Sequence, residues 1–124
     1  MRKVSSVSAG ILTGVLILGA AGCDKLKSRD DINKGIASFR NAKYGDAVEK
    51  FKEAAALDPS NENARLYLAT AYMSQWIPGA DSPENLGYAS MAQEEFNKVL
   101  EKNPNDTTAL ASLASIAYMS AAPL

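Results

Sequence analysis

The stretch Ala47-Val48-Glu49-Lys50-Phe51-Lys52-Glu53-Ala54-Ala55-Ala56-Leu57-Asp58-Pro59 is answered later in the chain by Ala92-Gln93-Glu94-Glu95-Phe96-Asn97-Lys98-Val99-Leu100-Glu101-Lys102-Asn103-Pro104. In both, a small residue, an aromatic, a second small or branched residue and a proline keep the same mutual spacing. The first three recur at helical intervals, and the closing proline cannot continue the helix. A chain that copies itself in this way is built from repeated helical units.

Outward from these stretches the same periodicity continues. Ile32, Ile36 and Phe39 mark a helix ahead of the first copy, with Asn41-Ala42-Lys43-Tyr44-Gly45-Asp46 as a tight connection. Ser28 followed by Asp31 has the layout of a capping box. Leu68, Ala69 and Tyr72 mark the helix ahead of the second copy. There the connection is longer and contains Trp76-Ile77-Pro78-Gly79-Ala80-Asp81-Ser82-Pro83, in which the prolines and glycine break the helix and Ser82-Pro83-Glu84 restarts it. Residues 107–124 carry no charge and offer Leu110, Leu113, Ile116, Tyr118 and Met119 at helical spacing.

These residues resemble the tetratricopeptide repeat, or TPR, whose unit has small residues where its two helices touch, an aromatic in the second helix and a closing proline. Gly35, Ala47, Phe51, Ala54 and Pro59 fall on that pattern in the first unit, and Leu68, Ala69, Tyr72, Ala92, Phe96 and Pro104 in the second. Asp31, Lys34 and Ser38 stand where that family prefers large apolar residues, and Arg65 stands in place of a tryptophan. The resemblance implies an all-α fold, antiparallel helix pairs stacked as a short solenoid of about two and a half repeats. Its expected divisions are residues 28–61, residues 62–106 with an inserted loop around 75–83, and a first helix of an incomplete third repeat, or a capping helix, over 107–124.

The amino-terminal segment has a different character. Arg2 and Lys3 precede an uncharged stretch, and Gly19-Ala20-Ala21-Gly22 runs directly into Cys23, the only cysteine. This resembles a bacterial lipoprotein signal peptide over residues 1–22, which implies cleavage before Cys23, acylation of its thiol and a polar spacer over 23–27. An uncleaved membrane anchor is the alternative, since about 19 uncharged residues approach the length of a bilayer span. The localisation expected from the resemblance is a bacterial cell envelope, with the chain lipid-anchored to a membrane.

Composition narrows the functions. With 13 basic and 14 acidic residues and a net charge of −1, the chain has no electrostatic footprint for nucleic acid. It contains no histidine, which removes histidine-based catalysis and histidine metal ligands. The carboxylate groupings Asp30-Asp31, Glu94-Glu95 and Asp81 to Glu84 read as solvated faces or caps. No catalytic residue, metal or cofactor is expected.

The TPR resemblance places a partner-binding groove on the first helices of each pair. It implicates Ile32, Ile36, Phe39, Arg40, Leu66, Thr70 and Met73, with Arg29, Asn33, Asn63 and Tyr67 on the same face. Residues 107–119 filling that groove in the free protein is the competing arrangement. Trp76 and Ile77 form a candidate binding loop, unless they fold back on the neighbouring helices. The expected function is a membrane-anchored interaction module, an adaptor or envelope assembly factor that binds a protein or peptide segment. The alternatives are a self-associating structural lipoprotein using residues 107–124 and, remotely, an envelope enzyme.

Overall fold

The computed structural model describes residues 22–121. Helix α1 is described over residues 22–40, and α2 (Tyr44–Leu57), α3 (Glu62–Gln75), α4 (Pro83–Lys102) and α5 (Thr107–Ala121) follow. The described residues contain no strand. Packing of α2 on α3, α3 on α4 and α4 on α5 makes an all-α stack of antiparallel helix pairs, a short TPR-type solenoid. The segment expected to serve export lies outside the described residues except for Gly22, and so do residues 122–124.

Punctuation by the sequence is mostly local chemistry. Asn61 accepts from the amides of Asn63 and Ala64 at the start of α3, and Ser82 accepts from the Asn85 amide with Pro83 at the first turn of α4. Asp106 does the same for Ala109 at the start of α5, 2.8 Å away. Each side chain satisfies amides that have no partner inside the helix. Helix α1 ends differently. The Lys43 amide donates back to the Ser38 carbonyl at 2.9 Å across Ala42, which takes the left-handed conformation at φ 58°. Tyr44, Gly45 and Asp46, expected in the connection, are instead the first turn of α2.

The capping box expected at Ser28 and Asp31 is absent, because α1 runs unbroken through both and their neighbouring amides are already paired within the helix. Both side chains are buried against α2. The Ser28 hydroxyl donates to the Ala54 carbonyl at 2.8 Å. Asp31 is 2% exposed, sits 3.9 Å from the Lys50 ammonium, and has one carboxylate oxygen with no hydrogen-bond partner. A buried polar atom left in this state costs stability.

The pairs close over two phenylalanines. Phe51 and Phe96 are almost wholly buried, with Ala47, Ala54, Ala69 and Ala92 at zero exposure around them. Burying a side chain of that size contributes about 1.5–3 kcal/mol. The closest approach is at Gly35, where a Cβ would lie 2.5 Å from Phe51 Cε1 and 2.7 Å from Cδ1. Arg65, in place of an aromatic, reaches across to α4 and pairs with Glu95 at 2.9 Å.

This geometry reverses the usual sign of a glycine substitution. Alanine in a helix interior is ordinarily about 1 kcal/mol better than glycine. Gly87→Ala in α4, where the nearest atom to the new Cβ is Met91 Cε at 4.0 Å, should therefore raise the melting temperature by several degrees. Gly35→Ala should lower stability by about 1–3 kcal/mol, because the ring of Phe51 has to move. Thermal unfolding followed by circular dichroism reads both, and a rise in melting temperature for Gly35→Ala would mean that α1 does not rest on Phe51.

Candidate functional site

Between α1 and α3 lies an open cleft of about 470 Å³. Ile36, Phe39 and Arg40 line it from α1, Tyr67 and Thr70 from α3, and Phe51 from α2. The ring of Tyr67 stacks on that of Phe51 with centroids 5.4 Å apart and planes 24° apart. Phe39 meets Tyr44 edge-on at 5.1 Å. The Thr70 hydroxyl donates to the Leu66 carbonyl at 2.8 Å. The walls are thus aromatic and aliphatic, and Arg40 is the one charged residue lining them.

Of the groove residues expected from the sequence, Ile36, Phe39, Arg40 and Thr70 come together here. Ile32 shares the arc of α1 but sits one turn nearer the amino end. Leu66 and Met73 do not line the cleft, and are half-buried against the core. At about 100° per residue, Leu66 is turned a quarter-circle or more from Tyr67, so a stripe that looks continuous in sequence divides between cleft and core. Tyr67, expected on the same face, also lines the cleft and is 40% exposed. Phe51, read from the sequence as core only, also presents an edge to the cleft. No residue of α5 lines it, so residues 107–119 do not fill the groove.

The inserted loop divides its two apolar residues. Trp76 is buried with the core, whereas Ile77 is 65% exposed. Asn85 holds the loop in place. Its side chain accepts from the Ile77 amide at 2.6 Å and donates to the Ile77 and Ala80 carbonyls, each at 2.8 Å. Gly79, at φ 85°, supplies the turn that brings those carbonyls round.

The acidic groupings expected as solvated faces or caps divide: Asp31 is buried against α2 and Glu95 is largely covered where it meets Arg65, whereas Asp30, Glu84 and Glu94 make exposed pairs. Asp30 pairs with Lys34 at 2.7 Å, and Glu94 and Glu95 both reach Lys98, at 3.0 and 3.1 Å. Hydrogen bonds to Glu94 and then Glu95 raise the pKa of Lys98 above the ordinary lysine value. Glu84 accepts from the Tyr88 hydroxyl at 2.9 Å, which raises that phenol's pKa. Cys23 is exposed in the first described turn of α1. No described helix is long and apolar enough to cross a membrane.

The stacked helix pairs and the apolar cleft between them place the chain in the class of helical-repeat proteins. The family whose model matches, over residues 36–123, is the plant-specific mitochondrial import receptor subunit TOM20, and the chain belongs to that family. No curated protein matches it. The family is one of receptor subunits and not of enzymes.

The match corrects several expectations. As an assignment of family, a TPR protein with a bacterial lipoprotein signal is overturned, although the helical-repeat fold stands. With it fall the bacterial envelope localisation, the acyl anchor read at Cys23, the envelope adaptor or assembly factor, and the self-associating lipoprotein. The physical reason lies in how little each signal carried. Small residues before one cysteine are a five-residue pattern, and repeat spacing reports how helices pack, which unrelated lineages share.

The loop analysis gives a direct expectation. Asn85→Ala leaves the Ile77 amide and two carbonyls without partners and should cost about 1–3 kcal/mol. Trp76 is the sole tryptophan, so its emission should shift to the red as the loop loosens. An unchanged spectrum and unchanged melting temperature would mean that the loop does not depend on Asn85.

Proposed function

We propose that this chain is a non-catalytic receptor subunit that holds a segment of a protein destined for mitochondrial import in the cleft between α1 and α3. The observation that carries this is the cleft itself: Ile36, Phe39, Tyr67 and Thr70 form an apolar surface open to solvent, held in shape from below by Phe51. Apolar groups left exposed on a rigid scaffold mark a place where another molecule completes the burial. The cleft suits a short segment presenting one or two large side chains, by the helix-in-groove or extended-peptide modes that repeat scaffolds use. Membership of an import-receptor family supports a protein as the occupant. Trp76 is buried with the core, so of the two apolar loop residues only Ile77 is exposed to a partner.

A photo-reactive benzoyl-phenylalanine placed at Tyr67 should cross-link to an import precursor synthesised in vitro. The same residue placed at Asp46 on the other side of α1 and α2 should not. Phe39→Ala should weaken the Tyr67 cross-link about tenfold or more, since an apolar anchor at the centre of an interface typically contributes about 2 kcal/mol. Cross-linking that is equal at the two positions, or that is indifferent to Phe39, would place the binding site elsewhere.

A further inference from the structure

The chain repeats a second register besides that of its phenylalanines. Pro59-Ser60-Asn61 leads into α3, and Pro104-Asn105-Asp106 leads into α5. In each, the third residue caps the helix, and the alanine three positions on, Ala64 or Ala109, has no exposure. Two turns further along, Ala71 answers Ile116, and both again have no exposure. In α3 this arc faces α2, because Tyr67 beside it stacks on Phe51. Helix α5 lies on α4 by the same arc that α3 uses to lie on α2.

Roughly a third of a turn round the axis, the two helices part. Arg65, Ala69 and Tyr72 fall within about 60° of one another on α3. They turn to α4: Arg65 pairs with Glu95 at 2.9 Å, Ala69 has no exposure, and Tyr72 has 8%. The same positions in α5 are Leu110, Ala114 and Ala117, and all three are exposed, Leu110 at 47%. Tyr118, one turn on from Ala114, is 79% exposed. Helix α4 covers this arc in α3, and among the described residues nothing covers it in α5. Leu110 stands in the position of Arg65 and α5 carries no charge, so the ion pair of the α3 to α4 contact has no counterpart here.

We propose that the exposed arc of α5 docks an amphipathic helix of a protein partner, which lies on α5 as α4 lies on α3 and completes a third helix pair. Helix α4 defines the chemistry of that partner. It buries Ala92, Phe96 and Val99, and it offers Glu95 to Arg65. The partner's helix carries a small residue with an aromatic four positions on, and an apolar residue where α4 has the glutamate. A carboxylate set against Leu110 would lose its water with no cation to meet it. Leu110 and Tyr118 are the apolar surface that such a helix covers, in the manner of helix-in-groove recognition. The surface lies apart from the cleft between α1 and α3, to which α5 contributes no residue, and does not depend on what the cleft holds.

Two fluorescein-labelled peptides copying residues 83–102 test this on the full chain, one with the sequence of α4 and one with Glu95→Leu. Both are held helical by a hydrocarbon staple in place of Asn97 and Glu101, which are exposed in α4. Anisotropy titrations should show the Glu95→Leu peptide binding about tenfold tighter, as expected when the alternative is a carboxylate buried without a partner. Leu110→Arg in the chain supplies the cation that Arg65 supplies in α3, and it should reverse the order of the two peptides. Leu26→Arg, the same change at an exposed leucine of α1, should leave the order in place. A preference of the unaltered chain for the glutamate peptide would mean exchange with α4 on α3. Equal binding, failure of both peptides to bind, or a reversal by Leu26→Arg as well would mean that α5 takes no such helix. Each of these overturns the proposal, and so does sedimentation of the chain alone as a dimer that Leu110→Arg dissociates, since the arc then belongs to a second copy.

Discussion

The contact between Gly35 and Phe51 is the constraint on which the first helix pair depends. A ring carbon of Phe51 occupies the space that any side chain at position 35 would need. That approach brings α1 down onto α2, and the same ring stacks with Tyr67 of α3. The cleft is what remains above the ring, between α1 and α3. Core packing and candidate site therefore share an atom group: the phenylalanine that closes the repeat also shapes the surface offered to a partner. The Ser28 hydroxyl bonded to the Ala54 carbonyl holds the same two helices together further along.

The parts of this architecture that were legible in the sequence are those governed by packing at fixed intervals. The spacing shared by Ala47, Phe51 and Ala54 with Ala92, Phe96 and Val99 places all six in the core, as found. Local caps were legible where a polar side chain meets free amides, as at Ser82. Ser28 and Asp31 carry the same residue pattern and do something else, because the helix had already begun and their amides were committed. Residue type signals a cap only when the backbone supplies unpaired donors, and that depends on where the helix starts.

The cleft was legible only in outline. Ile36, Phe39, Arg40 and Thr70 were found by face, but Leu66 and Met73 were assigned to the same surface and pack against the core instead. A repeat stack gives each first helix two neighbours, so its inward arc is shared between a groove on one side and the next repeat on the other. Sequence periodicity fixes the arc and not its division. The loop divides as well: Asn85 binds backbone atoms of residues 77 and 80, a polar contact that hydropathy does not announce, and Trp76 is buried in the core while Ile77 is exposed.

Family membership and fold also carry different weights in this chain. Residues 36–123 match an import-receptor family, and that span contains the cleft residues Ile36, Phe39, Arg40, Phe51, Tyr67 and Thr70. The walls of the cleft thus lie wholly within the part of the chain that the family describes. If a receptor scaffold is to accept many different segments, its walls must be sequence-tolerant, and apolar contact is non-directional enough to allow that.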